Sequence, residues 1–202
     1  MELLIVLGRV FSSAAANVFQ KQFTHKGLHS LFIVMLSYVV LASISLPLLI
    51  LVEHNAIEDG FWLNILLAAL LDMAGTLFLV LSLSKTDLSV FGPLNAYKVV
   101  FSMILALIFL DEVPNLQGFT GVIIILLGSF LLFPPVASTS SNRLWHLFRQ
   151  RGVQYRFLSI LLFSIGTLPL KNAVLSGGAL ATTLYWCLFG LPLSVGLYYR
   201  FG

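Results

Sequence analysis

Two ionisable side chains lie well inside apolar stretches of this sequence. Asp72 directly follows the run LNILLAALL, and Lys98 directly precedes the run VVFSMILALIFL. An ionised side chain at the centre of a bilayer costs about 2.5 to 3.5 kcal/mol on insertion scales, so each should face a partner or a watery cavity. An amine can hold a carboxylate or phosphate group, and a carboxyl group can take up and release a proton. The two residues therefore predict a polar site at membrane depth.

Lys98 has polar neighbours at helical spacing. Asn95 comes three residues before it and Ser102 four residues after it, which puts all three on one helix face. That stripe is expected to line the protein interior, although a lysine can also reach out to an interface. Tyr97 and Trp186 could stack on a flat substrate or simply pack against other side chains. We therefore name Asn95, Tyr97, Lys98 and Trp186 as candidate substrate-binding residues.

Asp72 lies on a second stripe of polar and small residues. The stripe comprises Asn64, Ala68, Asp72, Gly75 and Thr76. The short turn SKTD joins this stretch to the one that carries Lys98, so the two helices should pack antiparallel. Asp72 and Lys98 are about equally far from the turn, so they should lie at similar depth. An ion pair between Asp72 and Lys98 is therefore expected, serving either ion coupling or structure alone.

A third set of polar residues recurs at helical spacing near the N-terminus. The set comprises Arg9, Ser13, Asn17 and Gln20. Asn17 could face the same cavity as Lys98, and we add it to the candidate substrate-binding residues. Arg9 faces either that cavity or an interface, since a long cationic side chain can reach outward.

These residues belong to a chain that is mostly apolar. Of its 202 residues, 59% are hydrophobic and 9% are charged, which is more apolar surface than a soluble domain can bury. A helix needs roughly 17 to 25 residues to cross a hydrocarbon layer of about 30 Å. About seven stretches qualify as candidate spans: 3–20, 28–52, 61–83, 88–110, 116–134, 157–175 and 179–199. The sequence thus predicts an all-α polytopic membrane protein with about seven transmembrane helices.

One long connection divides the chain into two parts, residues 1–134 and residues 157–202. The connection, residues 135–156, contains a Ser/Thr tract and an Arg-rich piece. The Arg-rich piece is either a plain basic loop or a short interfacial helix. If the connections alternate between the two sides of the membrane, most Lys and Arg residues fall on one side and most acids on the other. The positive-inside rule makes the basic side cytoplasmic, which places the N-terminus outside.

A weak internal repeat relates the two parts. The segment SSAAANVFQK aligns with LFSIGTLPLK, so that Lys21 matches Lys171 and Asn17 matches Thr167. Because five spans precede the long connection, a repeat after it would have inverted topology, as in many transporters. Chance similarity between two apolar helices is the alternative, since few other positions agree.

The fourth and fifth spans carry motifs that resemble a known family. The motifs are a Gly-Pro entry, a Phe-Leu-Asp-Glu helix end, a Gln-Gly start and later glycines, at Gly92, Pro93, Asp111, Glu112, Gln117, Gly118, Gly121 and Gly128. In this order they resemble the end of an EamA-type repeat of the drug/metabolite transporter superfamily. The resemblance implies one full five-helix repeat over residues 1–134, followed by the start of a second, inverted repeat. It also implies a ten-helix whole and a cytoplasmic N-terminus, opposite to the charge pattern.

The resemblance and the polar residues together favour a secondary transporter that exports small polar metabolites across the plasma (inner) membrane. The alternative is a half-transporter that needs a partner, as a dimer if the chain is complete. An intramembrane enzyme is disfavoured because all four histidines fall in connections or at span ends, and no HExxH or GxSxG pattern occurs. A seven-helix receptor rests on the span count alone. No nucleotide, metal or nucleic-acid motif is present, so we expect no cofactor and no nucleic-acid partner besides the metabolite and the lipid bilayer.

Overall fold

The computed structural model describes residues 2–53, 57–109, 111, 113–132 and 149–202. The helices are α1 (Glu2–His25), α2 (Ser30–Leu48), α3 (Gly60–Lys85), α4 (Leu88–Asn95), α5 (Tyr97–Phe109), α6 (Leu116–Leu132) and α7 (Arg151–Phe201), with a 3₁₀ turn at Leu49–Leu51. No strand occurs among the described residues. The prediction of an all-α protein is confirmed.

Among the described residues, three helical stretches are long and apolar enough to span a membrane. They are Ser30–Leu51, Gly60–Lys85 and Arg151–Phe201. Two further helical stretches are also apolar but shorter, Pro93–Phe109 and Leu116–Ser129. The helix α1 carries Glu2, Arg9 and Lys21 along its length, which lowers its apolar character. The structure thus supports a membrane protein, while the count of seven spans stays a prediction.

The helix α7 consists of two parts joined at one residue. Gly178 has a φ of 77° and a ψ of 163°, which interrupts the helical backbone. A positive φ is the conformation that glycine adopts without steric cost. We call residues 151–177 arm A and residues 179–201 arm B. The predicted sixth and seventh spans, 157–175 and 179–199, fall in these two arms.

Arm A runs antiparallel to α3. Gly152, at the start of arm A, lies against Lys85 at the end of α3, and Gly177 lies against Phe61 at the start of α3. Arm B leaves from that same end, since the rings of Phe61 and Tyr185 have centroids 5.8 Å apart. The two arms therefore form a hairpin alongside α3.

The core lies between α3, α2 and the two arms. One buried cluster joins the start of α3 to both arms through Val52, Phe61, Ile65, Ala173, Ala181 and Leu184. The other joins α2 to the rest of α3 through Ile33, Val34, Tyr38, Met73 and Val80, and Leu193 and Leu197 of arm B pack against it. Arm B thus passes from the first cluster to the second and runs parallel to α3. The helix α3 is the element on which the others are assembled.

The fourth predicted span, 88–110, is divided in the structure. The helix α4 ends at Asn95 and α5 begins at Tyr97, with Ala96 between them. Pro93 has no backbone N–H, and the amide of Ala96 bonds to the carbonyl of Pro93 at 3.2 Å in a tighter turn. The backbone of Ala96 keeps helical angles, with a φ of −59° and a ψ of −33°, so the two helices meet at a local tightening rather than at a break.

The helix α7 begins before its predicted start. Its first residue is Arg151, whereas the sequence placed 135–156 in a connecting loop. Val153 and Arg156 are each 2% exposed, so the first turn is held by tertiary packing that a basic composition does not reveal. Outside the described residues lie 133–148, with most of the loop and part of the predicted interfacial helix, and also Leu110 and Glu112.

Lys21 fastens the end of α1 to the end of α3. Its buried amine donates hydrogen bonds to the carbonyl oxygens of Leu83, at 2.5 Å, and Thr86, at 2.8 Å. Carbonyl groups at a helix C-terminus lack helical partners and carry the negative end of the helix dipole, so an ammonium group is favoured there. The sequence placed Lys21 among exposed basic residues, and the structure instead makes it an internal anchor.

We expect Lys21→Met to destabilise the fold. Methionine keeps much of the length of lysine but removes both hydrogen bonds, and a bond to a charged group is worth about 1.5 to 3 kcal/mol. Thermal denaturation of the purified protein in detergent measures the effect, with Lys26→Met as the control because Lys26 is exposed. Equal denaturation midpoints for the two variants would contradict the anchor.

Candidate functional site

Two adjacent cavities lie among the described helices. The first cavity has a volume of about 700 Å³ and is lined mainly by α1 and α2. The second cavity has a volume of about 580 Å³ and is lined by α1, α3, α5 and both arms of α7. Asp72, Phe163 and Trp186 line both cavities. These three side chains therefore form the boundary between them, and Asp72 and Trp186 are two of the residues that the sequence singled out.

The Asp72 carboxylate is held by a tyrosine. The hydroxyl of Tyr38 donates a hydrogen bond to Asp72 Oδ2 at 2.9 Å. Tyr38 is 2% exposed, and its ring meets Trp186 nearly edge-on with centroids 6.3 Å apart. Gly190 of arm B makes room for the ring, since a Cβ there would overlap it. The position of Asp72 is therefore fixed by packing between α2 and arm B.

The Lys98 amine faces an aromatic ring rather than an acid. It lies 4.6 Å from the centroid of the Phe163 ring, a cation–π distance. Within the described part of the chain, no carboxylate oxygen lies within 4.0 Å of this amine. Asp72 and Lys98 therefore do not form a close salt bridge here, although the two charges are near enough to attract each other. The two charged groups instead line the second cavity together.

The second cavity has more positive than negative charge. Arg9 and Lys98 line it, and Asp72 is the one acid among its described lining residues. The sequence left two orientations open for Arg9, and the structure favours the cavity. Thr167 and Thr183 also line it, and their hydroxyl groups donate to the carbonyl oxygens of Ser164, at 2.6 Å, and Ala179, at 2.8 Å. Two cations at one site suit an anionic group such as a carboxylate or phosphate.

Of the predicted common stripe, Ser102 shares a cavity with Lys98, whereas Asn95 does not. Asn95 is exposed on α4 and accepts a hydrogen bond from Nη2 of the buried Arg156. Ser102 donates to Ser164 Oγ at 3.3 Å and lines a third, shallower cavity that also contains Lys98. Asn95 thus contacts arm A and lines neither main cavity.

Asn17 and Tyr97 lie near the cavities without lining them. Asn17 is half-buried on α1, and the α1 residues that line the first cavity are Ser13, Ala16, Phe19, Gln20 and Phe23. Tyr97 is half-buried, and its ring centroid lies 5.8 Å from that of Phe157. This contact fits a packing role for Tyr97, which is one of the two roles that the sequence left open.

Three residues of the site were missed by sequence reasoning. Tyr38 and Phe163 look like ordinary members of apolar spans. The tyrosine inside the stretch LFIVMLSYVVL could still have predicted a buried hydrogen-bond partner, since a buried tyrosine hydroxyl usually has one. Arg156 was assigned to the basic connection, yet its guanidinium lies 4.1 Å from the centroid of the Phe91 ring. No pattern in a single sequence distinguishes such an arginine from a loop cation.

Comparison with known families gives one match over most of the chain. The EamA-like transporter family matches residues 1–133. The chain belongs to the EamA-like transporter family. The resemblance drawn from the Gly-Pro and Gln-Gly motifs is therefore confirmed. Comparison with curated proteins and with solved structures gave no match.

Family membership explains the architecture around the cavities. EamA-like proteins are integral membrane transporters rather than enzymes, so a polar, positively charged cavity among apolar helices has a direct use in this transporter. The matched residues supply α1 to α6, with Arg9, Asp72 and Lys98. Phe163 and Trp186 come from α7, which lies beyond the matched residues. The transporter therefore completes its cavity walls with helices that the family match does not cover.

Proposed function

We propose that this protein is a secondary transporter that exports small polar metabolites by alternating access between two inverted helical repeats. The observation that carries the proposal is the second cavity, in which Arg9 and Lys98 face a shared space with Asp72. Cationic side chains that surround a cavity in a membrane protein are expected to mark a substrate pathway. Lys98 binds the anionic group of the metabolite.

The directions of the helices support an inverted repeat. The helix α1 runs parallel to α3, since Lys21 at its end bonds to carbonyl groups at the end of α3. Arm A, which the weak repeat aligns with α1, runs antiparallel to α3. The helix α2 and arm B likewise run in opposite directions relative to α3. Opposite directions of paired helices are what an inverted repeat requires.

Asp72 couples export to protons in this proposal. Its carboxylate lies at the boundary of both cavities, so it can exchange a proton while the substrate occupies the second cavity. The Tyr38 hydroxyl bonds to the same carboxylate and keeps it pointed at the boundary. Proton entry on Asp72 then drives substrate exit.

Metabolite release by whole cells tests the proposal. We expect one class of anionic metabolite to accumulate in the medium of cells that express the native chain, compared with cells that express none. Asp72→Asn should reduce this rise at least about tenfold, because an amide cannot carry a proton. Asp59→Asn is the matched control, since Asp59 is an exposed acid outside the cavities.

Each outcome of the release experiment decides a separate part of the proposal. Coinciding profiles from native and non-expressing cells, at a verified membrane level of the protein, would refute export of the sampled metabolites. Native-like export by Asp72→Asn would refute proton coupling through Asp72 and leave transport standing.

A further inference from the structure

We infer, on the basis of the proposed function, that the substrate is an amphipathic organic monoanion, with its acid group in the second cavity and an apolar body in the first. The inference rests on the contrast between two cavities that share a boundary. One cavity is cationic and the other is nearly free of charge. A single molecule that occupies both must have two different ends.

The charge of the second cavity selects the acid group. Arg9 and Lys98 provide two cations against the one carboxylate of Asp72. One oxygen of that carboxylate already accepts the hydroxyl of Tyr38. A carboxylate substrate is therefore attracted to the cavity, whereas an amine would meet two like charges.

The lining of the first cavity selects an apolar body. Away from the boundary, its apolar lining side chains include Phe19, Phe23, Ile33, Leu36, Val40 and Leu41, and its uncharged polar ones are Ser13, Gln20, Ser37, Tyr38 and Thr76. Among its described lining residues, Asp72 is the only charged one, and it lies at the boundary with the second cavity. A volume of about 700 Å³ is large enough for a phenyl ring or a short hydrocarbon chain. Water alone would fill such a surface poorly, so an apolar group is the favoured occupant.

The residues at the boundary between the two cavities limit the substrate to one acid group. Phe163 and Trp186 line both cavities beside Asp72, so they offer aromatic faces to a molecule that passes between them. The negative charge of Asp72 at this point repels a second acid group on the substrate. An apolar molecule with a single acid group at one end therefore matches the charge of the second cavity, the apolar lining of the first and the negative charge of Asp72 between them.

Binding by the purified full chain in detergent tests the inference without requiring transport. Isothermal titration calorimetry would compare 3-phenylpropionate with propionate, which lacks the ring, with 2-phenylethylamine, which lacks the acid group, and with L-phenylalanine, which adds an ammonium group. We expect 3-phenylpropionate to bind at least about tenfold more tightly than each of the others, since burial of the ring and the match of charge each contribute.

A pair of neighbouring alanines supplies matched variants. Ala16 lines the first cavity, whereas Ala15, also exposed on α1, lines neither main cavity. Ala16→Phe should fill the first cavity and weaken binding of 3-phenylpropionate about tenfold, with binding of propionate unchanged. Ala15→Phe should leave both affinities unchanged. Retained propionate binding shows that the variant is folded.

Several results would overturn the inference. These are equal affinity for propionate and 3-phenylpropionate, tighter binding of 2-phenylethylamine or L-phenylalanine, and no binding of any of the four compounds. Equal effects of Ala16→Phe and Ala15→Phe would also overturn it. None of these results bears on whether the protein exports a metabolite, which the release experiment decides separately.

Discussion

Replacing Lys98 by glutamine is expected to weaken binding of 3-phenylpropionate about 10- to 100-fold. The Lys98 amine contacts the Phe163 ring and has no carboxylate oxygen within 4.0 Å among the described residues. It is therefore available to a ligand. A hydrogen bond to a charged group is worth about 1.5 to 3 kcal/mol, and each 1.4 kcal/mol is about a factor of ten in affinity. Titration calorimetry on the purified chain measures the change.

One further variant separates the charge of Lys98 from its shape, and another serves as a control at a different lysine. Lys98→Arg keeps a cation in the second cavity and should retain most of the affinity, although its planar group fits differently. Lys85→Gln removes an exposed lysine at the end of α3 and should have no effect on binding. A Lys98→Gln variant that binds as tightly as the native chain would exclude Lys98 from the binding site.

The second large effect is expected at Gly190. A Cβ at this position would overlap the ring of Tyr38, which is 2% exposed and cannot move into solvent. Overpacking of this kind costs about 1 to 3 kcal/mol. Gly190→Ala should therefore lower the midpoint of thermal denaturation by about 2 to 12 °C. Because the Tyr38 hydroxyl holds Asp72, the same variant should also reduce proton-coupled export.

Gly196 provides the control for Gly190. It lies on arm B as well, and a Cβ there would meet nothing within 4 Å. Gly196→Ala should be neutral or slightly stabilising, because alanine favours helix more than glycine does. If both variants denature at the same temperature, the close contact between arm B and Tyr38 is not important for stability.

Much of the helical framework follows from the sequence alone. Long apolar runs around Ser37 and Ala69 predict helices because a helix satisfies its own backbone groups within a bilayer, and these runs lack the alternation of membrane strands. The polar residues Asp72 and Lys98 stand out for the same reason, since burial of a charge must be compensated. The sequence therefore predicted that these two residues face the interior, and the structure places both on one cavity.

The partners of those polar residues could not be predicted. The sequence paired Asp72 with Lys98 because both lie at a similar distance from the turn that joins their helices. A contact between two side chains also depends on the rotation of each helix about its axis and on the side chains that lie between them. Tyr38 reaches Asp72 because Gly190 lets α2 approach arm B closely, and that contact joins residues far apart in the sequence. Likewise, the contact between Arg156 and Asn95 joins residues 61 positions apart in the sequence.

The hairpin of α7 has a consequence for how the chain is made. The chain reverses direction at a single non-helical residue, Gly178, and residues 172–183 around it carry no charge. The charged residues of α7 at its open ends are Arg151, Arg156 and Arg200, and only Lys171 lies near the reversal. During synthesis, the two arms can therefore enter the bilayer together as one hairpin, with a nearly neutral tip crossing the membrane. By the positive-inside rule, the arginines at both open ends favour the cytoplasmic side for those ends, which stays a prediction.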